Sequence, residues 1–411
     1  MAVPPAPTSL SWQPPGLTLQ GWVTALGGLV WGVIAWLTGQ RDLIWPGLFL
    51  IALPLASWLT LAFGSRSPTV ERHVTPSEVT AGGEITSRVV VDSTGLALGS
   101  AARYRDTHPE AVLGATEASL PVGLGRHRID HQLTVAWRGR HRLGPLRRSV
   151  TDALGLARTR RVLPGTADVL ALPQIHPLEP LRAASGLGSA SDATVLKTSL
   201  IGTDDVLVRE YLPGDDVRRI HWRSTARTGA LMVRREEQAW DPSAVLLLDN
   251  RVISLPRASL TGPIPRLEWL VEAAASIATH LIDHGFTVAL IDALGADPSE
   301  PPPTGARTVL RHLADVDRCD LDSLDHAVAT APSGARGQLL IALLGRLDAA
   351  DGGALAAARR DHQACWAMVL EPVKLDPEAL RLLESTGWRV LQVSQETSVA
   401  SAWQLLGEVT R

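Results

Sequence analysis

The chain has 411 residues, 45% of them hydrophobic, which is enough to fill two or three packed cores and too apolar for a disordered tail. Lys+Arg 39 against Asp+Glu 42 leaves a formal charge of -3, a balance that excludes a general nucleic-acid binder driven by net charge. Only Lys197 and Lys374 are lysines, so arginine density alone is discounted; Cys319 and Cys365 are isolated, and neither a disulfide framework nor a zinc site has support.

Residues 1–19 read as an N-terminal tail and 20–64 as a membrane hairpin. Met1 to Gln40 holds no charged side chain, and Gly21 to Thr38, "GWVTALGGLVWGVIAWLT", is long enough to cross a bilayer. A second apolar run, Leu43 to Phe63, follows almost at once. Neither run has a polar face, so two packed transmembrane helices are expected. A cleaved signal peptide fits less well, because the stretch lacks a basic start and a second span follows. Arg41 in the connection is balanced by Asp42, whereas Arg66 and Arg72 follow the second span. The positive-inside bias therefore places the large C-terminal part, and the tail with it, on the cytoplasmic side of an inner (plasma) membrane.

Residues 67–180 change character. "GEITSRVVVDSTG", "HRIDHQLTVAWRGRHRLGPL" and "TADVLALP" read as short alternating strands punctuated by Gly and Pro, which predicts a small all-β sandwich-like domain. The stretch 181–204, rich in Ser, Gly and Ala, reads as a linker. From 241 to 411 the pattern alternates between strand and helix. Strands are predicted at 244–249, 287–293, 337–344, 365–371 and 389–394, with helices at 266–284, 353–362, 377–387 and from Thr397. Short apolar strands joined by helices require right-handed crossovers, so a doubly wound α/β domain with a parallel sheet is expected.

Ligands of such sheets sit beyond the strand carboxyl ends. The first strand ends in Asp249, at a position similar to the Asp-x-Ser-x-Ser metal loop of von Willebrand factor A-like domains. Arg251 and Ile253 stand at the two serine positions, and a guanidinium in place of an oxygen ligand repels a cation, so a degenerate site and no metal are expected. Neither a Gly-rich phosphate loop nor a G-x-S-x-G elbow follows, and no cofactor is expected.

Residues 205–240 hold the densest motif, "EYLPGDDVRRIHWRSTARTGALMVRREE". It reads as a strand with Arg209, Glu210 and Tyr211, a turn at Pro213, Gly214, Asp215 and Asp216, a short helix, and a returning strand. On the helix, Ile220 shares the inner face with Val217 and Ser224, next to Arg218, His221 and Trp222. Arg219, Arg223 and Arg227 recur every fourth residue, a like-charge stripe that calls for an anion opposite, either internal acids or an external phospholipid headgroup, nucleotide phosphate or acidic partner surface. A general base at His221 oriented by Asp215 or Asp216 is the catalytic alternative, with Ser224, Thr225 and Tyr211 as the only nearby hydroxyls.

These elements, together with "WRGRHRLGPL" and "DALGLA" upstream, resemble the bacterial family called domain of unknown function 58. The resemblance implies a membrane hairpin, a β-rich segment and a von Willebrand factor A-like C-terminal domain. It also implies work beside MoxR-type AAA+ ATPases and other membrane proteins. The expected function is that of a membrane-anchored cytoplasmic adaptor or assembly factor that is not an enzyme. A hydrolase or transferase using His221 and a structural membrane organiser are the alternatives.

Overall fold

The computed structural model describes residues 12–64, 68–93, 101–121, 125–180, 208–210, 222–234, 243–255, 262–295, 305–331, 339–359, 364–371 and 376–408. The expected linker at 181–204 lies outside them. The chain divides into two compact units, Met1–Leu172 and Pro173–Arg411.

In the first unit α1 (Leu19–Leu37) and α2 (Ile44–Gly64) form an antiparallel hairpin joined by a 3-10 turn at Arg41–Leu43. Nineteen residues of helix span about 28 Å, close to the ~30 Å hydrocarbon core of a bilayer. Both helices are long and apolar enough to cross a membrane. Their backbones touch. A Cβ on Gly28 would lie 2.7 Å from the Gly47 carbonyl oxygen, and one on Gly47 3.0 Å from that of Gly28. Small residues at the contact are what allow apolar helices to approach this closely in lipid.

Among the described residues, twelve strands follow or flank the hairpin: β1 (Trp12–Leu17), β2 (Thr69–Thr75), β3 (Glu78–Thr80), β4 (Glu84–Ser93), β5 (Ala101–Asp106), β6 (Val112–Gly114), β7 (Glu117–Pro121), β8 (Gly125–Val135), β9 (Gly139–Leu143), β10 (Leu146–Thr151), β11 (Ala157–Leu163) and β12 (Ala167–Leu172). A sheet ordered β1-β11-β10-β5-β7 and a smaller one, β3-β12-β9, pack on a third ordered β2-β4-β8-β6. Val89, Val91 and Ile129 meet Tyr104, Leu146 and Val150 in one core, where Leu61 of α2 is also buried. Ile85 and Leu133 meet Leu143 and Val169 in the other.

Two expectations change here. The segment expected as a tail contributes β1, which pairs antiparallel with β11 at the sheet edge. Its Pro14-Pro15 pair sits in the register shift between Gln13 and Gly16, and an edge strand with a bulge is the setting that tolerates proline. Arg72, read as a charge at the membrane surface, is instead buried in the sandwich. It donates to Asp106 through Nη1 at 2.7 Å and to the Gly165 carbonyl through Nε at 2.8 Å. Both partners of the ion pair have fully buried side chains, so Arg72 offers nothing to lipid headgroups.

The second unit begins at Pro173, so the first ends at Leu172, eight residues short of the end expected for the β-rich domain. Residues 173–180 pack within this unit: His176 Nε2 lies 3.0 Å from Glu272, and Trp403 Nε1 donates to the Glu179 carbonyl at 3.0 Å. A small hairpin, β13 (Val208–Glu210) and β14 (Met232–Arg234), flanks α3 (Trp222–Thr228). The parallel sheet consists of β15 (Ser243–Leu248), β16 (Thr287–Asp292), β17 (Leu339–Leu344), β18 (Ala364–Glu371) and β19 (Arg389–Ser394), in the order β16-β15-β17-β18-β19. Its described helices are α4 (Pro265–Asp283), α5 (Ala306–Asp315), α6 (Asp325–Thr330), α7 (Ala349–Ala358), α8 (Pro377–Ser385) and α9 (Val399–Glu408). Every side chain of β17 is buried, as a strand covered on both faces requires.

Candidate functional site

The chain leaves β15 for β16 on one side and returns to β17 on the other, so the topological switch point lies between the carboxyl ends of β15 and β17. Asp249 directly follows β15, and its N–H donates to the Leu343 carbonyl of β17 at 2.9 Å. Its carboxylate faces Arg251, whose Nε donates to Oδ1 at 2.8 Å and whose Nη2 donates to Oδ2 at 3.1 Å. Asp351, on the first turn of α7, takes Nη1 at 2.7 Å and Nη2 at 2.9 Å. The Asp322 carbonyl accepts from Nη1 at 3.1 Å. All five guanidinium N–H groups are thereby satisfied, and the three side chains are 0 to 1% exposed.

The loop is fixed from both sides. Asn250 donates to the Asp317 carbonyl at 2.7 Å and accepts from the Ala293 N–H at 3.0 Å, while the Cys319 N–H donates to the Asn250 carbonyl. Asp348 caps α7 by accepting from the Asp351 N–H at 2.9 Å, which sets Asp351 in place. Burial works against the charge of Arg251, and the hydrogen bonds and charges of Asp249 and Asp351 outweigh it, so its pKa is held above the ordinary arginine value. Burial also pushes the Cys319 thiol up to about 11 and the Cys365 thiol up to about 12, which leaves neither a thiolate nucleophile at neutral pH.

These residues do not fit a divalent cation. The two carboxylates that would hold one are already turned onto a guanidinium, and Val252 and Ile253 are partly exposed instead of supplying oxygens. The sequence marked Asp249, Arg251 and Ile253 as a degenerate metal loop. It did not show that Arg251 itself lies between two buried carboxylates, nor that Asp351, one hundred residues away, completes the pair. The signal for Asp351 was the Asp348-x-x-Asp351 spacing at a helix start.

The densest motif is described in part. Arg209 and Glu210 lie on β13, with backbones in register with Val233 and Met232. Tyr211, Pro213, Gly214, Asp215, Asp216, Arg218, Arg219, Ile220 and His221 lie outside the described residues. Trp222 opens α3 and is 67% exposed. Arg223 also lies on α3, and Arg227 in its last turn is exposed. Gly229 ends the helix with a φ of 73°, and Thr225 Oγ1 accepts from the Met232 N–H at 3.0 Å, tying helix to returning strand. Leu231 beside this turn is 47% exposed. β13, α3 and β14 lie within the stretch read as strand, short helix and returning strand, the expected helix start at Asp215 or Asp216 lies outside the described residues, and an indole, a leucine and a guanidinium face outward.

Residues 207–351 match the family model described as Protein of unknown function DUF58. No curated protein matches the chain. Among solved structures, the SpRpn10 VWA domain is similar at 9% identity over 39% of this chain and 93% of that one, with a TM-score of 0.29. A von Willebrand factor type A structure from Catenulispora acidiphila is similar at 15% identity over 41% of this chain and 42% of that one, TM-score 0.28. The CARDB domain of the PF1109 protein from Pyrococcus furiosus is similar at 16% identity over 26% and 96%, TM-score 0.18. The matched stretch runs from β13 through the switch point to the start of α7, and over residues 207–351 the chain is similar to that family.

Proposed function

We propose that the protein is a membrane-anchored adaptor whose α/β domain recognises another protein. The observation that carries this reading is the switch point. Where a doubly wound sheet takes a small ligand, this one holds its own Arg251 with every donor engaged. Outward presentation of Trp222, Leu231 and Arg227 supports it, since tryptophan and arginine dominate the energetics of protein contacts. The two apolar helices anchor the chain in the inner membrane, with the sandwich and the α/β domain in the cytoplasm. An AAA+ ATPase of the MoxR type is the partner class the family resemblance implies, and other membrane proteins are the clients.

Affinity capture with the tagged full chain from native membranes tests this. Wild type is expected to retain an ATPase, and Arg219→Glu with Arg223→Glu to lose it without a change in melting, with the difference largest at low salt and narrowing as salt rises. If His221→Asn keeps stability and partner capture but abolishes the protein's role in cells, the adaptor reading fails and a His221-dependent hydrolase or transferase replaces it.

A further inference from the structure

The outer face of the β1-β11-β10-β5-β7 sheet is a wall of arginine. Register sets Arg158 opposite Thr151, then Arg160 and Arg103 on either side of Ser149, then Arg147 opposite Arg105. All five arginines are exposed, and together they line a concavity of about 730 Å³ that also presents the Ser119, Ser149 and Thr151 hydroxyls. Glu117 engages Arg105 through Nε at 2.8 Å. Among the described residues no carboxylate pairs with Arg103, Arg147 or Arg160, and Arg158 donates only to Thr151 Oγ1, at 3.3 Å. Like charges in register on neighbouring strands destabilise a sheet, so this face calls for an anion from outside.

Its place in the fold selects the anion. The turn that precedes β11 carries the start of α1: the Thr18 N–H donates to the Leu156 carbonyl at 2.9 Å, and Thr18 Oγ1 donates to the Gly155 carbonyl at 2.6 Å. Leu154, on the same turn, is 54% exposed. Arg158 stands two strand residues beyond Leu156, about 7 Å at the strand rise. A headgroup layer is about 5–8 Å thick, which puts Arg158 among headgroups once α1 enters the bilayer. Arg160 and Arg103 stand one row further out, within reach of a long side chain.

We propose that this wall is a binding site for the phosphates of anionic phospholipids, gripped by Arg158, Arg160 and Arg103 while Leu154 enters the interface. The inference rests on the reading that α1 and α2 span a bilayer. A phosphate is the shared chemistry, and the exposed leucine beside the first turn of the helix assigns it to lipid instead of a soluble phosphate.

The test reconstitutes the full chain into nanodiscs of mixed phosphatidylcholine and phosphatidylglycerol, then counts by mass spectrometry the lipids that survive extraction in mild detergent. Wild type is expected to retain phosphatidylglycerol selectively. Arg158→Gln with Arg160→Gln is expected to lower that retention by roughly fivefold per arginine removed, whereas Arg381→Gln, on the exposed side of α8, leaves it unchanged. Raising the salt on wild type is expected to lower it too, an arm that needs no folded variant. Equal retention of the two lipids, or equal retention by wild type and the double variant, overturns the inference. So does thermal stabilisation by inorganic phosphate that the double variant loses while lipid selectivity is absent, which assigns the wall to a soluble phosphate. Failure to enter nanodiscs takes down the anchored reading and this inference together; entry without selectivity overturns the inference alone.

Discussion

Arg251 behaves as a built-in cation. Removing it leaves Asp249 and Asp351 buried side by side with no counter-charge, and breaking a buried pair from one side costs about 3–5 kcal/mol. Arg251→Ala in the full chain is therefore expected to lose that much stability in denaturant unfolding followed by tryptophan fluorescence; a loss under about 1 kcal/mol, the range of exposed pairs, would show that the network is weaker than its geometry implies. Magnesium is expected to leave wild-type melting unchanged, since a ligand at a hundredfold its dissociation constant would add about 2.7 kcal/mol. A magnesium-dependent rise that vanishes in Asp249→Ala would contradict the assignment. His280 gives the second residue-scale prediction. Burial, then the neighbouring His284, pushes its pKa below the ordinary value, with Asp283 opposing. The folded state thus favours neutral His280, and the unfolded chain, with a pKa near 6.5, takes up the proton first. Stability contributed by this group is present above about pH 6.5 and is lost as pH falls toward the folded value. His280→Gln is expected to flatten the decline of melting temperature between neutral and mildly acidic pH; an unchanged slope would remove His280 from the account.

The joint between α1 and the sandwich depends on a glycine. A Cβ on Gly21 would lie 2.1 Å from the Leu156 carbonyl oxygen, a backbone atom fixed in the turn before β11, whereas a Cβ on Gly27 meets nothing within 4 Å. Gly21→Ala should cost about 1–3 kcal/mol by overpacking, and Gly27→Ala should be near neutral in the same detergent-solubilised melt. Equal melting of the two variants would mean that the joint yields without cost. At this scale much was legible. The parallel strands lie within two residues of their predicted positions, because buried strands are short apolar runs bounded by helices. Helix α7 starts four residues earlier than predicted. Gly352 and Gly353 looked like a boundary, yet Gly352 is where α7 meets α8, with a Cβ there only 2.8 Å from Ala379. Strand β1 was missed because two prolines argue against a strand until the partner edge is known. The pair of Arg251 and Asp351 was hidden for another reason: no local periodicity connects residues one hundred positions apart, and only the crossover from β16 to β17 brings them together. The arginine wall went unread for the same reason, because its rows assemble from β5, β10 and β11 and no single run displays them.

For the whole molecule, the sandwich decides topology more firmly than the charge count did. Strand β1 precedes α1, β11 follows α2, and the two are paired in one sheet, so two crossings must bring the chain back to the side it left. Arg72 no longer counts toward orientation, being enclosed with Asp106. In its place the exposed arginines of β5, β10 and β11 lie at the same end of the hairpin as β1, while the 3-10 connection holds Arg41 cancelled by Asp42. If the hairpin spans a bilayer, as proposed, the positive-inside preference predicts a cytoplasmic sandwich end. Reporter fusions before Trp12 and after Arg411 should both give cytoplasmic signals, and a reporter inserted at Gly39 should give the opposite one. Signals on opposite sides for the two termini would mean that only one helix crosses, which the β1–β11 pairing forbids, and the hairpin reading would fall. Two termini that agree but report the outer side would keep the hairpin and overturn the proposed cytoplasmic compartment, and with it the proposal of a cytoplasmic ATPase partner.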